Sequence, residues 1–180
     1  MQTARTFERL WAAGRFGKLV DLAAAGSGGR GRSFPDAPAP VVAAAVVLVR
    51  LGELGQAQAP FADRLRGFLV GRQQADGAWG DDVRLTAVCV RALGEGPAAD
   101  AGRAALTRVQ HDDGAFPELA VRRLPGDVPA TLAVVGHLLQ LPRGREPDVE
   151  AALSWLERHC AGRERRTLEL LLARRVMRAA

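Results

Sequence analysis

Apolar residues recur along this chain in two alternating patterns. The segment from Pro60 carries Phe61, Leu65, Phe68 and Leu69 on one face, with Arg64, Arg66 and Arg72 elsewhere. That is the spacing of an amphipathic helix on the outside of a fold. The segment near 40–54 reads Val41, Val42, Ala43, Ala44, Ala45, Val46, Val47, Leu48, and a helix apolar on every side is a buried one. The alternation continues with a buried helix at 83–93, an amphipathic one from Pro97 to Gln110 and a buried one at 128–141. An amphipathic helix from Pro147 to Cys160 and a last helix at 164–178 complete the pattern. Proline suits a first helical turn, where the backbone N–H has no helical partner anyway. Residues 3–25 predict one or two further helices around Phe7, Leu10, Trp11, Phe16, Leu19 and Leu22. Gly26 to Arg32 is a Gly-rich connection, and it lacks P-loop spacing.

Two turns carry the same motif 37 residues apart: Gln73-Gln74-Ala75-Asp76-Gly77-Ala78-Trp79 and Gln110-His111-Asp112-Asp113-Gly114-Ala115-Phe116. The segments before them align at the same offset, Pro60 with Pro97, Asp63 with Asp100 and Leu69 with Leu106. A fixed period of this size marks a repeated supersecondary unit. A third unit keeps the register in degraded form, with Glu150 matching Asp100 and Leu156 matching Leu106, but its turn, Cys160-Ala161-Gly162, has lost the motif. Thr86, Thr131 and Thr167 mark the start of the inner helix in each. The motif reads as architecture. Glycine permits a reversal with positive φ, and the preceding Asp can bond nearby N–H groups. The Gln can satisfy helix-end groups, and the aromatic can pack over it and seal the gap between hairpins.

Gln73, Gly77 and Trp79 together resemble the QW motif of squalene–hopene and oxidosqualene cyclases, and Gln110, Gly114 and Phe116 are a variant with Phe for Trp. Related repeats occur in class II diterpene cyclases and in the β-subunits of protein prenyltransferases. The resemblance covers roughly residues 34–178. It implies an all-α fold of α/α hairpins, with inner helices lining a cavity and outer helices wrapping it. A complete toroid in those families has about six hairpins, and this chain has room for about three and a half. The expectation is therefore a partial toroid of about half, a smaller closed bundle, or assembly with a partner or second copy. Residues 1–33 are expected to form capping helices and a connection, and 34–180 the repeat domain. The helix at 3–25 and the basic last helix (Arg163, Arg165, Arg166, Arg174, Arg175, Arg178) would cap the ends of the array.

The resemblance also supplies a test of chemistry. Class II cyclases protonate an alkene with the middle Asp of an Asp-x-Asp-Asp-Thr-Ala motif at the start of an inner helix. This chain holds the frame twice, at Asp82-Val83-Arg84-Leu85-Thr86-Ala87 and Asp127-Val128-Pro129-Ala130-Thr131-Leu132. The two acids that do the chemistry are replaced by Arg84-Leu85 and Pro129-Ala130. A carboxyl group that protonates a C=C bond needs a second carboxyl or comparable partner beside it. Asp82 and Asp127 then read as helix N-caps. The adjacent pairs Asp81-Asp82 and Asp112-Asp113 could share a proton or bind a metal–diphosphate, but both sit at turns, where Asp is common. The catalytic candidates are Asp81 and Asp82, and the candidate diphosphate contacts are Arg84, Arg122 and Arg123. The prenyltransferases' zinc pair is missing, since Cys89 is preceded by Ala87 at the matching offset. No zinc is expected from the spacing of Cys89, Cys160, His111, His137 and His159. No cofactor is expected, with magnesium entering only with a diphosphate.

Composition changes little. There are 24 arginines and one lysine, Lys18, with no Ile, Asn or Tyr. The net charge is +5, but the arginines lie among nearly as many acids and read as solvated helix faces. Nucleic-acid binding lacks interleaved aromatics and any motif. Two unpaired cysteines, no signal-peptide pattern and no apolar run long enough to span a bilayer predict a cytoplasmic protein. The expected function is a non-catalytic repeat module binding an isoprenoid or a partner protein. The alternative is a small cyclase- or prenyltransferase-like enzyme using an acid such as Asp81. A HEAT-type scaffold is a third reading, and the Gln/Gly/Trp turn counts against it.

Overall fold

The computed structural model describes residues 2–25, 37–141 and 147–179, with side chains described from 3 to 173 within these ranges. The connection at 26–32 and the boundary at 33/34 lie outside the described residues, as do the side chains of Arg174, Arg175 and Arg178. The described chain is all-α: α1 (Gln2–Ala12), α2 (Phe16–Ala24), α3 (Ala39–Glu53), α4 (Pro60–Val70), α5 (Val83–Leu93), α6 (Pro97–Val109), α7 (Val128–Leu138), α8 (Val149–His159) and α9 (Gly162–Ala179). No strand forms among the described residues, and Asp82 and Leu119 make an isolated antiparallel bridge.

The order of packing follows the hydrophobic pattern. Helices α2, α3, α5, α7 and α9 pack side by side in that order, and α4, α6 and α8 each lie on the inner helix before them. The central helices α3, α5 and α7 are buried along most of their length. All residues from Leu85 to Val90 are at most 3% exposed, and Val41–Ala45 and Ala130–Val135 are likewise buried. Six consecutive buried residues sample every direction around a helix. Ala, Val and Leu dominate these stretches, and small side chains let the helices approach closely.

Helix limits follow local chemistry. Asp82 caps α5 by accepting from the Arg84 N–H, and Gly94 (φ 74°) stops it. Asp127 caps α7 by accepting from the Ala130 N–H. Three boundaries differ from expectation by two residues or more, one being the start of α9 at Gly162 rather than 164. α7 ends at Leu138 rather than 141. α8 starts at Val149, not Pro147, because Asp148 is its N-cap and accepts from the Ala151 N–H. The Gln110 side chain holds Asp148 there, accepting its N–H at 2.9 Å and donating to its carbonyl at 2.8 Å.

Candidate functional site

The repeated turns are built alike. In the first, the Gln73 amide donates to the carbonyls of Gly77 (2.8 Å) and Ala98 (2.8 Å). In the second, Gln110 donates to Gly114 (3.0 Å) and Asp148 (2.8 Å). Each Gln thus closes its own turn and grips the first turn of the next outer helix. Asp76 accepts from the Ala78 N–H and Asp113 from the Ala115 N–H. Gly77 (φ 88°) and Gly114 (φ 96°) bring backbone against backbone: a Cβ on Gly77 would lie 2.4 Å from the Ala101 carbonyl oxygen, and one on Gly114 would lie 2.3 Å from the Ala151 carbonyl carbon. The threonines complete the unit, since Thr86 Oγ1 accepts from the Trp79 N–H (3.3 Å) and Thr131 Oγ1 from the Phe116 N–H (2.9 Å). Thr167 departs from this pattern, its hydroxyl donating to the Arg163 carbonyl within α9 (3.1 Å). The division of labour differs from expectation in one respect. The aromatic serves the preceding helix end, the Trp79 indole N–H donating to the Leu69 carbonyl (2.7 Å), while Gln73 reaches forward to α6.

At the start of α5, the carboxylate of Asp82 is engaged twice over. It caps Arg84 N–H at 2.8 Å and receives the Arg84 guanidinium through Nε (2.9 and 3.1 Å) and Nη2 (2.7 Å). Glu118 stands 3.7 Å from the same guanidinium. The hydrogen bond to Asp82 raises the Arg84 pKa above its ordinary value; partial burial opposes this, while the charges of Asp82, Glu118 and Asp127 reinforce it. Arg84 is therefore a fixed cation among carboxylates. The Asp82 oxygens are thereby occupied by a backbone N–H and a guanidinium. Asp81 has a different setting. Its side chain is exposed, and its carbonyl accepts from the Ala120 N–H (2.6 Å), which ties the 118–126 insertion to the α5 start.

The remaining candidates are spread out. Arg122 pairs with Asp112, an exposed contact between the insertion and the second turn. Arg123 is exposed on the same insertion. Asp113 serves its turn. The structure thus pairs Asp82 with Arg84, while Arg122 pairs with Asp112 instead. The Cys89 thiol is fully buried, and desolvation pushes its pKa well up, which keeps it an unreactive thiol. No cluster of three or more metal-ligating side chains occurs among the described residues. No described helix is long and apolar enough to cross a membrane. Sequence reasoning missed Glu118 as a neighbour of Arg84, and it missed Gly102, whose absent side chain leaves room for the Trp79 ring. A lone glycine inside an amphipathic helix was the available signal for the second.

No family model, no curated protein and no solved structure matches this chain.

Proposed function

We propose that this chain is a non-catalytic α/α repeat module of the terpenoid-cyclase-like kind, and that it recognises a partner protein. The observation that carries this reading is the state of Asp82, whose carboxylate is both helix cap and ion-pair partner of Arg84. Asp127 is likewise spent on the Ala130 N–H. Buried central helices favour a protein partner over an isoprenoid, because apolar ligand sites are concave and open onto their lining helices. The test is native mass spectrometry and light scattering of purified protein with farnesyl diphosphate, geranylgeranyl diphosphate or squalene. The module reading expects no retained lipid and no ligand-induced rise in Tm. A retained isoprenoid would move the assignment to an isoprenoid-binding module.

The enzyme reading has one observation in its favour: Asp81, next in sequence to the Asp82–Arg84 pair, has an exposed side chain on a backbone pinned by Ala120. Any diphosphate there would bring magnesium with it, since Arg84 is committed to Asp82. Turnover of an isoprenoid diphosphate that Asp81→Asn abolishes, with folding intact, would establish that reading and end the first.

A further inference from the structure

We infer that α4 is the first outer helix of the array, and that the partner fitting its receiving edge is this chain's own α1 rather than a turn from a second copy. The receiving edge is defined by the two turn-on-helix junctions. On α6 the preceding turn meets Ala98 through Gln73, Ala101 through Gly77, and Gly102 through Trp79. On α8 the second turn meets Asp148 through Gln110, and Ala151 and Ala152 through Gly114. One turn further on, the Trp155 ring of α8 lies 3.1 Å from where a Gly126 Cβ would be. In the register set by Pro60, Pro97 and Pro147, the α4 counterparts of these positions are Phe61, Arg64, Leu65 and Phe68.

Three of those positions, Phe61, Arg64 and Phe68, meet α1. The Trp11 ring meets Phe61 edge-on at 6.4 Å and Phe68 at 5.1 Å between centroids. Glu8, one helical turn before Trp11, pairs with Arg64, whose guanidinium also lies over the Phe61 ring at 5.5 Å. Phe7 on the same helix is fully buried. The α4 edge differs from the edges that receive a Gln-Gly-aromatic turn. The glycine of such a turn touches backbone at the position of Ala101 or Ala151, and on α4 that position carries the long side chain of Arg64. The third turn of a second copy has neither the Gln nor the aromatic. Bulk on the receiving helix and loss of the motif on the donating turn both count against head-to-tail extension. The aromatic and ionic contacts of α1 meet the same edge that a turn fills elsewhere.

The test is light scattering and thermal unfolding of the full chain. The full chain is expected to be monomeric, or to keep its mass when α1 is altered by Trp11→Phe. Trp11→Ala is expected to lower Tm by about 5–10 °C and to cause concentration-dependent association through the bared Phe61 and Phe68. Trp11→Ala and Phe68→Ala should be strongly non-additive. Should Trp11→Ala fail to fold, the milder Glu8→Arg serves: it should lower Tm, and Arg64→Glu in the same chain should restore it. A wild-type dimer that Trp11→Ala or Glu8→Arg dissociates would overturn the inference, because α4 would then be serving a second copy. So would a Trp11→Ala chain of unchanged mass and Tm, or a Glu8→Arg effect that Arg64→Glu leaves uncorrected.

Discussion

Gly114→Ala should be among the most damaging single-methyl changes available in this protein. The added Cβ would stand 2.3 Å from the Ala151 carbonyl carbon, 2.4 Å from its oxygen and 2.5 Å from the Ala152 nitrogen. All three are backbone atoms of α8, so no side chain can swing aside. Two costs combine. A non-glycine residue at φ 96° carries about 1–3 kcal/mol of backbone strain. Overpacking against a fixed helix adds about 1–3 kcal/mol. Pushing α8 away would also stretch the bonds from Gln110 to Asp148, each worth about 1 kcal/mol. Strain and overpacking together come to about 2–6 kcal/mol, which lowers Tm by about 4–24 °C in a domain of this size. The control is Gly55→Ala. Gly55 also has positive φ (67°) but nothing within 4 Å of the added Cβ, so it should show backbone strain alone. Circular dichroism melts of the two variants, with urea titrations for the free-energy difference, make the comparison. Equal losses would refute the claim that each turn is pressed onto the next helix.

Trp79→Phe should cost about 0.5–1.5 kcal/mol in urea titrations, because it removes the indole bond to the Leu69 carbonyl while the Arg72 N–H still donates there. Asp127→Ala should cost about 1 kcal/mol through loss of the α7 cap, with Asp127→Asn nearly neutral, as read from thermal melts. Alkaline stability should depend on Cys89. Burial raises its folded pKa well above the unfolded value, so the unfolded chain loses its proton first. Stability then falls as pH rises past the unfolded value, by up to about 1.4 kcal/mol per pH unit. With no tyrosine and one lysine in the chain, few other groups titrate there, and Cys89→Ala should flatten the slope in urea titrations between pH 8 and about pH 10.

The parts of the fold that were legible in the sequence are those decided locally. The start of α5 follows from Asp82 and its end from Gly94, both within a residue of the helix. Alternation of buried and amphipathic segments gave the two layers, because burial on one side or all sides leaves its own periodicity. What was illegible depends on partners far along the chain. The α8 start moves because Gln110 holds Asp148. Arg84, a diphosphate candidate from sequence, faces Asp82 and Glu118 because the insertion folds back across the α5 start. Neither Asp82 nor Glu118 reveals by its own spacing which cation it meets. Within each turn, the Gln bond to the glycine carbonyl and the Asp bond two residues on are local and follow from the turn's own residues. The reach of Gln73 to Ala98 and of Gln110 to Asp148 does not.

The Phe at the second turn follows from one atom on the receiving helix. Trp79 fits because the helix it meets has Gly102, where an added Cβ would lie 2.9 Å from the indole Cζ3 and 2.5 Å from Val90 Cγ2. The equivalent residue on α8 is Ala152, which is fully buried and already carries that Cβ. A tryptophan at 116 would meet the Ala152 methyl just as Trp79 would meet the methyl added by Gly102→Ala, so the smaller ring stands there. Turn aromatic and receiving residue therefore form a matched pair, Trp with Gly and Phe with Ala. Gly102→Ala should cost about 1–3 kcal/mol by overpacking, and Trp79→Phe in the same chain should recover part of that loss despite its own lost hydrogen bond. Phe116→Trp should likewise be destabilising alone and milder with Ala152→Gly. Coupling energies of about 0.5–3 kcal/mol are expected in both double-mutant cycles. Strict additivity in both would mean that the two rings occupy unrelated sites, and the Phe would need another cause.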